Sequence, residues 1–507
     1  MSYTEDTEEG RASAQDRFFD IDHLHSDLKG RTIRGALINV GSNSTKFFLH
    51  MVSTVVLARL LTPKDYGIFG MVIAVTGFVG MFRDMGLSWA TIQKARIDHA
   101  QTSNLFWVNV GLSIGIMVIT ASLAPFIAKF YGEPRLTWIT LALAGGFVIS
   151  GLSVQHQALL RRQMRFSVLA VIDISAMFLG VTAGILAGVR GWGYWALVCM
   201  QLTFGASTTV LSWVLCRWRP GLPHKNTGIR SMLSFGGNLT VYNFLNYFAR
   251  NLDNVLIGKY LGPAQLGLYS KAYNLLLMPL EQISAPITHV GIPALSRLQN
   301  DPDSYRRFYC RALSAIAYLT IPLVAVMAAL SDEIIFYVLG SRWMEASPIF
   351  RILVIAAVIQ PMVNQLYWIY ISLGQADRMM KVGLFTSPLY VLAFIIGLKW
   401  GAIGVAASYA IISYALFIPV LWIAIRYSPV HMVDVFHNTW KPIVMSFILF
   451  LIISVTKSLP VGLNLLMRTV TSMLVGFIFM AITFYYWPAV RKEVYGLVEL
   501  IRESNRS

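Results

Sequence analysis

Asn39, Asn43, Lys46 and His50 recur four, three and four residues apart inside an otherwise apolar run. That spacing puts all four on one face of a helix. In the seventh apolar run, Asn243, Asn246, Arg250 and Asp253 repeat the layout. A basic side chain at that depth in a membrane costs several kcal/mol unless it faces protein or water. The two stripes are therefore expected to wall a hydrated cavity whose deep charges, leaning basic, suit an anionic ligand. Lys46 has no acid one turn away in its own helix and is read as a cavity residue. Arg250 and Asp253, three apart, form either part of that site or a structural ion pair holding the helix in register. His50 either belongs to the stripe or packs as an ordinary histidine.

Other polar residues within apolar runs carry further expectations. Lys271, flanked by Tyr269 and Tyr273, either faces the cavity or snorkels outward. Asp173 and Glu281 are the remaining deep acids. Burial makes such a carboxylate a switchable proton or sodium site, and pairing with a basic neighbour is the alternative. Arg83 and Asp84 close the cytoplasmic end of a span, as a gate or as interfacial anchors. Pro279, Pro286 and Pro293 recur every seven residues on one face. Each removes a backbone donor and bends a helix, as a hinge or as a kink its neighbours tolerate.

Nothing in the chain points to catalysis. There is no phosphate-binding GxxxxGK[ST] loop, no His/Cys cluster at metal spacing and no nucleophile–base pair. Neither a metal nor a bound cofactor is expected, and coupling to H+ or Na+ is the one ionic requirement foreseen. Cys199, Cys216 and Cys310 are scattered and odd in number, so they read as small apolar fillers. His23 and His25 lie in a polar N-terminal tail and read as solvated. That tail has no apolar core of the kind a cleavable signal peptide needs.

The elements that carry these residues are legible from composition. Of 507 residues, 56% are hydrophobic and only 13% charged, against about 25% charged in a soluble domain. Apolar runs of about 20 residues recur, each long enough to span a bilayer, as at 166–188 and 471–487. Backbone in lipid must satisfy its own hydrogen bonds, so these runs are helices. The alternation of a β-barrel is missing. The expected fold is an all-α integral membrane protein of about fourteen spans, near 36–61, 66–89, 104–128, 136–160, 166–188, 192–216, 232–258, 264–293, 310–331, 346–373, 379–399, 402–426, 440–458 and 464–488. A short apolar piece at 334–339 is too brief to cross and is placed at the interface.

The net charge of +16 sits mostly in short loops, a topogenic pattern rather than a nucleic-acid surface. With the N-terminus in the cytoplasm, roughly 27 basic residues fall inside and about 11 outside, which orients the chain. An even number of spans then puts both termini in the cytoplasm.

Internal similarity divides the chain. Residues 55–69 (VVLARLLTPKDYGIF) align without a gap on 255–269 (VLIGKYLGPAQLGLY), pairing Pro63 with Pro263 and Gly67 with Gly267. Six spans separate the copies, so they run in the same direction and form a parallel repeat. Two such halves usually enclose a cavity and alternate its access by rocking. The expected organisation is a cytoplasmic tail (1–32), a six-helix lobe (33–218), a linker (219–230), a second six-helix lobe (231–428), two extra helices (429–490) and a second tail (491–507).

The segments NLDNVLIGKYLG at 251–262, LGLYSKAY at 266–273, LLTPKDYGIF at 60–69 and LGSRWMEASP at 339–348, the last with Trp343 and Pro348, carry a resemblance. The chain resembles the polysaccharide transporter family, the Wzx-type flippases of the multidrug/oligosaccharidyl-lipid/polysaccharide exporter superfamily. The resemblance covers roughly residues 30–490 and implies fourteen spans, two six-helix lobes and an extra C-terminal pair.

It also implies passage of undecaprenyl-diphosphate-linked oligosaccharide across a bacterial inner membrane, with Lys46, Arg250 and Lys271 attracting diphosphate or acidic sugars. Coupling to an ion gradient would then involve Asp173, Asp253 or Glu281. Membrane lipid, a polysaccharide polymerase and export machinery are the implied partners. Two rivals remain: a drug or cation exporter of the same superfamily, which would want acidic groups in its cavity, and a non-transporting scaffold of an envelope polysaccharide assembly.

Overall fold

A computed structural model describes residues 19, 28–84, 86–94, 97–224, 230–458 and 464–486. Nearly all of both tails, including His23 and His25, and the side chains of Asn243, Asn246 and Arg250 lie outside the described residues. Among the described residues the chain is helical and has no strand. It divides into two compact units, 1–264 and 265–507.

The first unit contains α1 (Leu28–Leu60), α2 (Pro63–Gly80), α3 (Leu87–Gln93), α4 (His99–Tyr131), α5 (Leu136–Gly151), α6 (Val154–Arg162), α7 (Phe166–Val189), α8 (Trp195–Cys216) and the first part of α9 (Arg230–Arg297). Small residues let these helices approach, as packing between apolar helices requires. On α7, a Cβ at Gly180 would lie 2.9 Å from the Met200 carbonyl oxygen of α8, and one at Gly184 would lie 2.9 Å from the Met200 Cβ. On α5, a Cβ at Gly151 would sit 2.1 Å from Ser113 Oγ of α4. The chain after α8 folds back on α4. Asn104 exchanges hydrogen bonds with the His224 backbone at 2.6 and 2.8 Å, and Trp107 Nε1 donates to the Gly221 carbonyl at 2.8 Å.

The second unit holds the rest of α9 with α10 (Pro302–Ala329), α11 (Ser331–Ile334), α12 (Ala346–Ala357), α13 (Gln360–Ser372), α14 (Ala376–Gly397), α15 (Gly401–Ile425), α16 (Met432–Ser458) and α17 (Leu465–Tyr486). Its core gathers Tyr305, Tyr309, Leu366, Trp368 and Leu421. Helices α14 and α15 meet at Gly397 and Gly404, where a Cβ on Gly397 would lie 2.6 Å from the Gly404 carbonyl oxygen. The short apolar piece at 334–339 continues α11 as one π-helical turn, followed by a 3₁₀ turn that buries Trp343.

Helical backbone occupies every expected span, with local differences. Span two ends early at Gly80, because the next residues turn to begin α3. Span four breaks after Gly151, and span ten bends by 49° between α12 and α13, just before Pro361. Spans seven and eight join in α9, whose one residue with non-helical dihedrals is Gly262 (φ 84°, ψ 177°). Helical dihedrals continue through Pro279, Pro286 and Pro293.

Eight described helices are long and apolar enough to cross a membrane, or nine if the bent pair is one span. Helices α1 and α2 fall outside that set. The polar stripe lowers the hydropathy of α1, and Lys64 and Asp65 open α2.

Candidate functional site

Helix α1 carries its polar face in the predicted register. Asn39, Asn43 and His50 are exposed and Lys46 is half-buried. Lys46 Nζ reaches Asp173 Oδ2 of α7 at 3.2 Å, with side-chain exposures of 32% and 39%. The pair joins two helices 127 residues apart in the chain. Its intermediate exposure matters. Neither charge is sealed in, so either can exchange its partner for an ion or a ligand. Two of the sequence candidates thus meet each other, the lysine without an acid in its own helix and the acid of span five.

The remaining candidates occupy separate places. Asp253 is buried at 6% exposure and accepts from the Asn254 backbone N–H at 2.7 Å. Lys271, in the second unit, is half-buried, and the rings of Tyr269 and Tyr273 on either side of it in sequence stack on each other at 6.2 Å. Tyr273 meets Tyr409 edge-on at 6.2 Å, and Tyr409 also contacts the rings of Tyr390 and Phe394. Tyr269, Tyr273, Tyr409, Tyr390 and Phe394 therefore form a row of aromatic rings, the type of surface that cations and ring-shaped ligands share. Glu281 is exposed and has no ion pair among the described residues.

Arg83 and Asp84 differ in their hydrogen bonds. The Asp84 carboxylate accepts from the Ser88 backbone N–H at 2.9 Å and from the Ser88 hydroxyl. It caps the first turn of α3, where an acid is favoured by the exposed backbone donors. Arg83, with Asp84 and Ser88, lines a cavity of about 610 Å³ walled by α2, α5, α6 and α8. Gly77, Gly80, Gly146 and Gly205 line it, so small residues keep the helices from filling the space. Its polar lining includes Thr76, Ser150, Gln157, Arg161 and Gln201. In sequence, Arg161 stands with Arg162 and Arg165 in a short basic loop, the mark of a topogenic charge. Nothing in the one-dimensional pattern placed it with Arg83.

The repeated motif has a local logic. Thr62 and Asp65 form a reciprocal capping box at the start of α2, with Pro63 in the first turn. Asp65 also accepts from the Tyr194 backbone N–H at 3.1 Å. In the second copy, Gly262 takes the left-handed conformation just ahead of Pro263. A Cβ on Gly67 would lie 1.6 Å from the Pro263 carbonyl oxygen, so backbone meets backbone there. Lys259 donates to the Phe130 carbonyl at the end of α4 and lies 4.9 Å above the Phe130 ring.

Among the described residues no group of three or more His, Cys, Asp or Glu could hold a metal.

Comparison with known proteins agrees with the fold. Residues 56–348, more than half of the chain, match the family described as polysaccharide biosynthesis protein. The lipopolysaccharide biosynthesis protein WzxC of Escherichia coli K12 is 26% identical over 392 residues, 76% of this chain and 79% of that protein. The teichuronic acid biosynthesis protein TuaB of Bacillus subtilis 168 is 26% identical over 401 residues, 78% of this chain and 83% of that protein. Among solved structures, the lipid II flippase MurJ in an inward closed conformation superposes with a TM-score of 0.69 at 14% identity. The superposition covers 89% of this chain and 99% of that one. That likeness is one of fold.

Proposed function

The chain belongs to the polysaccharide biosynthesis protein family, and on that premise we propose that it is a flippase for lipid-linked oligosaccharide. It carries a polyprenyl-diphosphate-linked glycan, of the undecaprenyl type, from the cytoplasmic to the outer leaflet of a bacterial inner membrane. The product feeds an exopolysaccharide, capsule or lipopolysaccharide. The names of its relatives support this reading, since WzxC and TuaB are named for envelope polysaccharides.

The observation that carries the mechanism is the Lys46–Asp173 pair on α1 and α7. Diphosphate and acidic sugars form charge-assisted bonds to an ammonium group, so an incoming substrate competes with Asp173 for Lys46. A proton or sodium ion taken by Asp173 removes the competing charge and releases Lys46 to the substrate. Loss of that ion restores the pair and expels the anion. Access alternates because only one of the two partners can hold Lys46 at a time. The aromatic row of Tyr269, Tyr273, Tyr409, Tyr390 and Phe394 offers faces on which sugar rings stack.

The test is polysaccharide export in cells carrying Lys46→Ala at normal protein level. Loss of export supports the reading. Intact export ends it, and intact export with lost drug resistance would point to a cation exporter instead.

A further inference from the structure

The cavity in the first unit is not needed for the Lys46–Asp173 exchange, yet it is built around charge. Arg83 Nε is buried without a hydrogen-bond partner, and no acid lies within ion-pair distance of its guanidinium among the described residues. The adjacent Asp84 lines the same cavity, where its carboxylate accepts from the Ser88 backbone and hydroxyl. Arg161 makes a long contact, 3.4 Å to Gln157 Oε1, and pairs with no acid among the described residues. Arginine does not shed its proton. Arg83 is half-buried and Arg161 exposed, so the unmet cost is that of the buried Arg83 Nε donor, and an arriving anion relieves it. The volume of about 610 Å³ falls within the roughly 300–1,000 Å³ of small-molecule sites.

We propose that this cavity is a second anion site, in which Arg83 and Arg161 hold a phosphate ester. Guanidinium groups match phosphate geometry through parallel N–H donors, and Gln157 lines the same cavity one turn from Arg161. The cavity lies at the end of α2 that the charge bias assigns to the cytoplasm. Two sources there share the chemistry: a polyprenyl phosphate and the headgroup of an anionic phospholipid. The site itself does not depend on the flippase reading; only the identity of its natural anion does.

The test titrates the full chain, in phosphatidylcholine nanodiscs, with a polyprenyl phosphate and separately with phosphatidylglycerol, counting bound probe by native mass spectrometry. Affinity for one probe is expected to fall about tenfold or more in Arg83→Gln. A smaller fall is expected in Arg161→Gln, with partial recovery in Arg83→Lys. A fall in the first titration assigns the lipid carrier, and a fall in the second assigns the headgroup. Arg161 is exposed, so its variant reports even where Arg83→Gln folds poorly.

Unchanged affinity for both probes in Arg161→Gln and in folded Arg83→Gln overturns the site. The same titrations in a Lys46→Ala background separate the cavity from the α1 stripe, because the Arg83-dependent part persists there. Failure of the flippase reading appears differently, as intact export in Lys46→Ala, and leaves the binding result standing.

Discussion

Lys46 has one positive charge and two claimants, Asp173 and the substrate. If the claims are exclusive, the two residues act as a unit and their substitutions do not add. Lys46→Ala is expected to cut export at least about tenfold, near the ~1.4 kcal/mol of one lost charge-assisted contact. Asp173→Asn is expected to raise affinity for a polyprenyl phosphate while lowering export, since nothing then displaces the bound anion. The double variant should export no worse than Lys46→Ala alone. Parallel binding and export assays on the three variants check this, and an additive double variant would contradict the exchange. The depth of Lys46 was legible from its place in an apolar run. Its partner was not, because Asp173 lies 127 residues away and no periodicity within one helix reports on another.

At the scale of elements, the repeated motif reads as a helix start. Removing the cap with Thr62→Ala is expected to cost about 1 kcal/mol. Gly67→Ala is more severe, since its Cβ would overlap the Pro263 carbonyl and backbone cannot rotate aside. A lower thermal midpoint for purified Gly67→Ala is expected. Gly111→Ala is the control. That glycine is exposed on α4 with nothing within 4 Å of a Cβ, so alanine there should be neutral or stabilising by up to about 1 kcal/mol. Thermal unfolding in detergent compares the three. Sequence alignment paired Gly67 with Gly267, yet the residue that Gly67 touches is Pro263. The alignment matches equivalent positions in two copies, whereas packing joins different positions of them.

For the whole molecule, the prediction concerns orientation. Loops that follow odd-numbered spans should lie outside. Alkaline phosphatase fused after Gly132 or Arg190 should be active, and fused after Gln163 or Pro220 inactive. The opposite pattern would invert the charge argument. The expected helices were readable because the bilayer leaves helix as the solution for long apolar runs. Their internal breaks were less so. The turn at Arg83 and Asp84, the interruption after Gly151 and the bend before Pro361 all fall inside apolar stretches. There, caps and neighbouring helices decide the backbone path.

By itself, the sequence determined that the chain is a helical membrane protein, that its motif occurs twice, and that its few deep polar residues line up on helix faces. Hydrophobicity and helical periodicity are local properties, so they survive in one dimension. Only the tertiary structure decided how those polar residues are used: Lys46 with Asp173, Asp84 with Ser88, and Arg83 lining a cavity with Arg161. Such pairings depend on which helices pack together and on where glycines leave room, and both are set by contacts between residues distant in the chain.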